Sequence, residues 1–108
     1  ASWDKAIAAR DESGGRIDLV TDDEIIEAYR LLASLEGVFV EPASAASFAG
    51  LLKVSRAGDT PLAGRVVCTL TGHGLKDPDR AVASSSAPIR LENGLAELSK
   101  MVEQAAED

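Results

Sequence analysis

The stretch that decides the fold reads RVVCTL at residues 65–70, followed by TGHGLKDP at residues 71–78. Apart from Arg65 and Thr69, the first six residues are apolar without alternation, a pattern typical of a strand buried on both faces of a parallel sheet. The next eight residues include two glycines, a hydroxyl, an imidazole and a lysine. Ligands of open α/β sheets bind beyond the carboxyl ends of such strands. The sequence therefore predicts a strand that ends in a ligand-binding loop, with Thr71 at its first position.

The rest of the sequence alternates extended and helical patterns around this stretch. Alternation or a short apolar run predicts extended segments or strands at residues 16–20, 38–40 and 88–91. Apolar spacing and glycine stops predict helices at residues 2–13, 22–36, 42–57 and 79–83, and a closing helix capped by Asn93. Strands that alternate with helices indicate an α/β fold. We expect a three-layer open-sheet piece with short, mainly parallel strands and flanking helices.

Several helix starts carry local signals. Thr21 and Glu24 have the spacing of a capping box, and Pro42 suits a first helical turn. The three acids of the turn after Thr21 are interpreted as cap and dipole residues rather than as a metal site. Ser2 is predicted to cap the first helix, and Trp3 is interpreted as a packing anchor rather than a surface for ligand stacking.

Composition and charge exclude some classes of function. The net charge is −7, and 11 basic residues are scattered among 18 acidic ones, which argues against a nucleic-acid partner. The sequence shows neither an apolar run long enough for a membrane span nor a secretory signal, and Cys68 is predicted to be a buried reduced thiol. These features predict a cytoplasmic protein. Because the chain begins with Ala1 and its only methionine is Met101, we expect the tail of a longer protein.

Two motifs carry a family resemblance. TGHGLKDP at residues 71–78 resembles the C-terminal signature of the threonine synthase family, which are pyridoxal-phosphate enzymes of fold type II. EPASAAS at residues 41–47 resembles the second late motif of the same family. The resemblance implies that residues 1–84 are the C-terminal part of a cofactor-binding α/β domain and that residues 85–108 are a strand–helix extension. It also favours a helix start at Pro42 that faces a cofactor ring over one that serves only packing.

The resemblance assigns a role to the loop. In family members the threonine that matches Thr71 bonds the pyridine nitrogen of the cofactor, so Thr71 is expected to do the same here. Gly72, Gly74 and Glu41 are expected as its neighbours in the site. A neutral hydroxyl does not hold a proton on the ring nitrogen as a carboxylate would, which makes the ring a milder electron sink. The family's Schiff-base lysine and phosphate-binding loop lie outside this sequence, so no catalytic residue is predicted on this chain.

The loop also permits other interpretations. It lacks the Gly-Lys-Ser/Thr spacing of a Walker loop, and Asp77 stands where a dinucleotide-binding loop needs its third glycine. His73 is a possible acid–base group, but a loop-shaping or hydrogen-bonding role is favoured. Lys76 is predicted to pair with Asp77, Asp79 or an anion rather than to form the Schiff base.

Three hypotheses for the function follow. The first is a portion of threonine synthase, which converts O-phosphohomoserine and water to threonine and phosphate; its partners would be this substrate and the rest of the polypeptide, with a homodimer possible. The second is a related threonine or serine dehydratase. The third is a non-catalytic α/β subdomain for packing or interaction, which predicts that pyridoxal phosphate changes neither its melting temperature nor its absorbance.

Overall fold

The computed structural model describes residues 2–58, 62–91 and 94–107 of the chain. These residues form five α-helices and one short 3₁₀ helix. The α-helices are α1 (Trp3–Ser13), α2 (Asp22–Glu36), α3 (Pro42–Ala57), α4 (Pro78–Ser84) and α5 (Leu95–Glu107), and the 3₁₀ helix is Gly74–Lys76.

The predicted open sheet with parallel strands is wrong. Among the described residues no strand forms, and the segments at 16–20, 65–70 and 88–91 are irregular or extended without a ladder. The predicted strand at 38–40 forms only an isolated antiparallel bridge, between Val40 and His73, which is the one β pairing among the described residues. A strand needs a neighbouring strand to take up its backbone hydrogen bonds. The apolar run at 65–70 is not buried on both faces, because Val67 is 81% exposed.

The central helices form where the sequence predicts them. The Thr21 hydroxyl accepts from the Glu24 N–H at 3.2 Å, and the Glu24 carboxylate accepts from the Thr21 N–H at 2.7 Å, which completes the capping box of α2. That backbone N–H is the main reason why the pKa of Glu24 is lowered. Helix α3 begins with Pro42 and ends with Ala57. The next residue, Gly58, closes it with a φ of 68°, a left-handed conformation that glycine adopts without strain.

Other local predictions have mixed outcomes. Helices α1, α4 and α5 lie close to their predicted positions, but the predicted Asn93 cap falls outside the described residues. Ser2 makes no side-chain cap hydrogen bond to α1. Trp3 is 70% exposed, so it does not act as a packing anchor within the described part of this chain. Cys68 is a free thiol that is half-buried rather than buried.

The core lies between α2 and α3. Their buried apolar side chains, together with Val40, form one cluster: Ala28, Tyr29, Leu32, Val40, Ala45 and Ala49. At the edge of this pair the Arg56 guanidinium donates to both carboxylate oxygens of Glu27, at 2.6 and 3.0 Å. Because Val40 and Ala45 belong to the same cluster, the core places the start of α3 beside the segment 38–41 that precedes it. In the part of the chain that is described, no helix is both long and apolar enough to cross a membrane.

Candidate functional site

The predicted ligand loop lies against the start of α3. Glu41 donates its backbone N–H to the carbonyl of Gly72 at 3.0 Å, and Gly74 donates its N–H to the carbonyl of Phe39 at 3.2 Å. Between these two bonds lies the bridge from Val40 to His73. The two motifs that carry the family resemblance therefore meet in space, although residues 48–70 of the chain lie between them.

A pair of hydroxyls lies at this junction. The Ser44 Oγ is 3.1 Å from the Thr71 Oγ1, and it accepts a hydrogen bond from the Gly72 N–H at 2.6 Å. Ser44 is 3% exposed, whereas Thr71 is exposed. The buried serine thus anchors the threonine, whose side chain remains accessible. Sequence reasoning did not identify Ser44, although its place in the first turn of a helix of small residues was a usable signal.

An ion pair joins the same two segments. The Lys76 ammonium lies 2.9 Å from Glu41 Oε2 and donates to Oε1 at 3.0 Å. The Glu41 side chain is only 17% exposed. Lys76 is predicted to pair with Asp77, Asp79 or an anion; the structure pairs it with Glu41, so the two aspartate alternatives are wrong. Asp77 instead accepts from the Arg80 N–H at 3.1 Å and caps α4.

The two loop glycines are needed because the chain passes close to its neighbours. A Cβ atom on Gly72 would overlap the carboxylate of Glu41 and lie 2.8 Å from its Cγ. A Cβ atom on Gly74 would overlap the ring of Phe39. Both positions therefore exclude any side chain unless Glu41 or Phe39 moves.

His73 shapes the loop through two contacts. Its Nδ1 accepts from the Leu75 N–H at 3.1 Å and so caps the 3₁₀ helix. Its ring meets that of Phe39 edge to face, with centroids 5.5 Å apart. These contacts match the loop-shaping interpretation rather than that of an acid–base group.

The arrangement presents the exposed, neutral hydroxyl of Thr71 beside Gly72, at a point where the loop packs on Glu41 and carries no side chain of its own. Such a group suits a hydrogen bond to a flat polar ring that approaches the loop from outside. The described residues contain no group of three or more His, Cys, Asp or Glu side chains that could hold a metal ion.

Comparison with known proteins gives the class. The family described as "Pyridoxal-phosphate dependent enzyme" matches residues 3–72, which include Glu41, Ser44, Thr71 and Gly72. The chain belongs to this family, whose cofactor is pyridoxal phosphate. The predicted cofactor class and the predicted enzyme family are thus confirmed.

The relatives found include several threonine synthases. That of Synechocystis sp. is 59% identical over 90 residues, which are 83% of this chain and 23% of the relative. That of Methanocaldococcus jannaschii is 49% identical over 100 residues, 93% of this chain and 25% of the relative. That of Mycobacterium leprae is 57% identical over 94 residues, which are 85% of this chain and 26% of the relative. The resemblance to threonine synthases is confirmed, and the chain spans about a quarter of the length of these relatives.

Proposed function

We propose that this chain is part of a threonine synthase. The complete enzyme would convert O-phosphohomoserine and water to threonine and phosphate with pyridoxal phosphate. The support is the 49–59% identity to three threonine synthases over most of this chain. The same comparisons favour this function over a threonine or serine dehydratase and over a non-catalytic packing module.

The chain's role is to bind the pyridine-nitrogen side of the cofactor through Thr71. The observation that carries this role is the hydroxyl pair: Thr71 is exposed, and Ser44, which is buried, lies 3.1 Å from its Oγ1. The bound cofactor supplies an electron sink for reactions at the amino acid's carbon atoms. A neutral hydroxyl at the ring nitrogen leaves that sink mild.

The neighbours of Thr71 define the shape of the site. Gly72 and Gly74 keep the loop free of side chains where it packs on Glu41 and Phe39. Glu41 acts through Lys76: the ion pair ties the loop to the start of α3. We assign Glu41 to positioning the loop rather than to contact with the ring.

The remaining partner is the rest of a larger polypeptide. The accessible surface is 8720 Å², whereas a compact folded protein of this mass exposes about 5,700 Å². Exposed apolar side chains are available for such a contact, among them Trp3, Leu19, Val67 and Val82. The division into residues 1–84 and 85–108, a homodimer and a cytoplasmic location remain predictions.

The test uses the complete enzyme that contains this segment. The wild type should release phosphate from O-phosphohomoserine and should not deaminate threonine. Thr71→Val removes the hydroxyl at nearly constant volume, so we expect about threefold to tenfold weaker binding of pyridoxal phosphate, as for the loss of one hydrogen bond. The measurement is an absorbance titration of the apo-enzyme with the cofactor.

Thr71→Ser is the matched control, because it keeps the hydroxyl and should retain most of the affinity. Equal cofactor affinity and equal activity in the wild type and Thr71→Val would contradict the role of Thr71. Activity on threonine instead of O-phosphohomoserine would favour the dehydratase. If pyridoxal phosphate changed neither the absorbance nor the melting temperature of the protein, both enzyme hypotheses would be contradicted.

A further inference from the structure

We propose that Ser44 is a positioning residue that fixes the direction of the Thr71 hydrogen bond, so that Thr71 donates to the ring nitrogen. This inference rests on the proposed function, and it assigns a role to a residue outside both the predicted site and the reacting atoms. The buried Ser44 hydroxyl lies between the Gly72 N–H and the Thr71 hydroxyl.

The first step is the contact with Gly72. A backbone N–H can only donate, so the Ser44 Oγ must be the acceptor of this 2.6 Å bond. The direction at this end of the chain of hydrogen bonds is therefore known without locating any hydroxyl hydrogen.

The second step concerns the single hydrogen of the Ser44 hydroxyl. Ser44 is 3% exposed, so water does not readily serve as its acceptor. Within the described ranges, the acceptor in reach of that hydrogen is the Thr71 Oγ1, at 3.1 Å. If Thr71 donated to Ser44 instead, the serine would accept twice and its hydrogen would be buried without a partner, which is unfavourable. Ser44 therefore donates to Thr71.

The third step follows for Thr71. Because its oxygen accepts from Ser44, its own hydrogen is free to be donated outward, and the residue is exposed. A donor at this position favours an unprotonated ring nitrogen, which can accept, over a protonated one, which can only donate. The hydrogen bonds therefore all run in one direction, from the Gly72 N–H to the Ser44 hydroxyl, and from that hydroxyl to the Thr71 hydroxyl. Each bond polarises the next.

The decisive measurement is the ¹⁵N NMR signal of pyridoxal phosphate labelled at the ring nitrogen and bound to the complete enzyme. In the wild type we expect a signal in the range of an unprotonated nitrogen that accepts a hydrogen bond. Ser44→Ala frees the Thr71 hydroxyl to rotate, so this signal should move and the cofactor should bind about threefold to tenfold more weakly. In the same variant without cofactor, the Gly72 amide should exchange faster with solvent.

Ser47→Ala is the matched control. The Ser47 hydroxyl lies nearly one turn further along α3. It donates to the Thr69 carbonyl at 3.1 Å and lies 3.3 Å from the backbone carbonyl of Ser44, and neither contact involves the Ser44 or Thr71 hydroxyl. Its loss removes a hydrogen bond of similar kind, so the protein should lose some stability while the ring-nitrogen signal stays where it is in the wild type.

Three results separate the outcomes. A protonated ring nitrogen in the wild type would overturn the inference and leave the Thr71 contact intact; this result needs no variant to fold. An unchanged signal in Ser44→Ala would also overturn it. An unchanged ring-nitrogen signal in Thr71→Val would contradict the proposed contact between Thr71 and the ring nitrogen, and the proposed role of Ser44 would then be contradicted as well.

Discussion

At Gly74 a single hydrogen atom in place of a side chain lets the loop touch an aromatic ring. The glycine donates its N–H to the Phe39 carbonyl at 3.2 Å, and a Cβ atom there would overlap the Phe39 ring. That ring also meets the rings of His73 and Tyr29 edge to face, at 5.5 and 6.4 Å between centroids. Because the ring is held on these sides, it cannot move away without losing contacts.

Gly74→Ala is therefore expected to destabilise the chain by about 1–3 kcal/mol, the usual penalty for an overpacked site. Thermal unfolding measures the loss. Gly50→Ala is the control, since nothing lies within 4 Å of its added Cβ and it is inside α3; it should stabilise the helix by up to about 1 kcal/mol. Equal melting temperatures for the two variants would contradict the proposed contact with Phe39.

Among the helices, α2 has the best-defined start. Its capping box satisfies two backbone donors through Thr21 and Glu24, at 3.2 and 2.7 Å. By contrast, Ser2 precedes α1 without any side-chain cap bond, and α1 has no buried residue. Thr21 therefore stabilises the start of its helix, whereas Ser2 does not. The reason is that a side-chain cap requires an extended backbone at the N-cap position, which Thr21 has and Ser2 lacks.

Thr21→Ala should lower the free energy of unfolding by about 1 kcal/mol, because the Glu24 N–H loses its acceptor. The measurement is urea unfolding followed by circular dichroism. Ser2→Ala should leave the unfolding midpoint unchanged. A similar shift in both variants would show that the difference between the two caps has no energetic consequence.

The whole molecule is extended rather than compact. Its radius of gyration is 18.9 Å and its extents are 62 × 32 × 21 Å, whereas a compact domain of this length has a radius of about 13 Å. Among the residues whose burial is described, the buried apolar side chains are confined to α2, α3 and Val40. Stability of the described part should therefore reside in this helix pair, with α1 and α5 contributing little.

Leu32→Ala is expected to cost about 2–5 kcal/mol, since Leu32 is 7% exposed in this core. Leu35→Ala, in the same helix but 73% exposed, should change stability by no more than about 0.5 kcal/mol. Hydrogen exchange resolves the effect: amides of α2 and α3 should lose protection together in Leu32→Ala only. Protection in α1 equal to that in α2 would contradict a core confined to this pair.

The sequence by itself determined the helices and the family. Capping signals and stop glycines act within a few residues, so Thr21, Pro42, Gly37 and Gly58 predicted the bounds of α2 and α3 without knowledge of the rest. The two late motifs likewise sufficed for the pyridoxal-phosphate class, because a motif is a property of the chain.

The contacts between the two motifs were decided only by the tertiary structure. Ser44 pairs with Thr71 across 27 positions and Glu41 with Lys76 across 35, distances over which no local pattern acts. The predicted sheet failed for the same reason: a strand is defined by its neighbour, and the described segments have only the bridge from Val40 to His73. A helix satisfies its backbone within its own residues, whereas a strand and a site need partners that only the folded chain brings close.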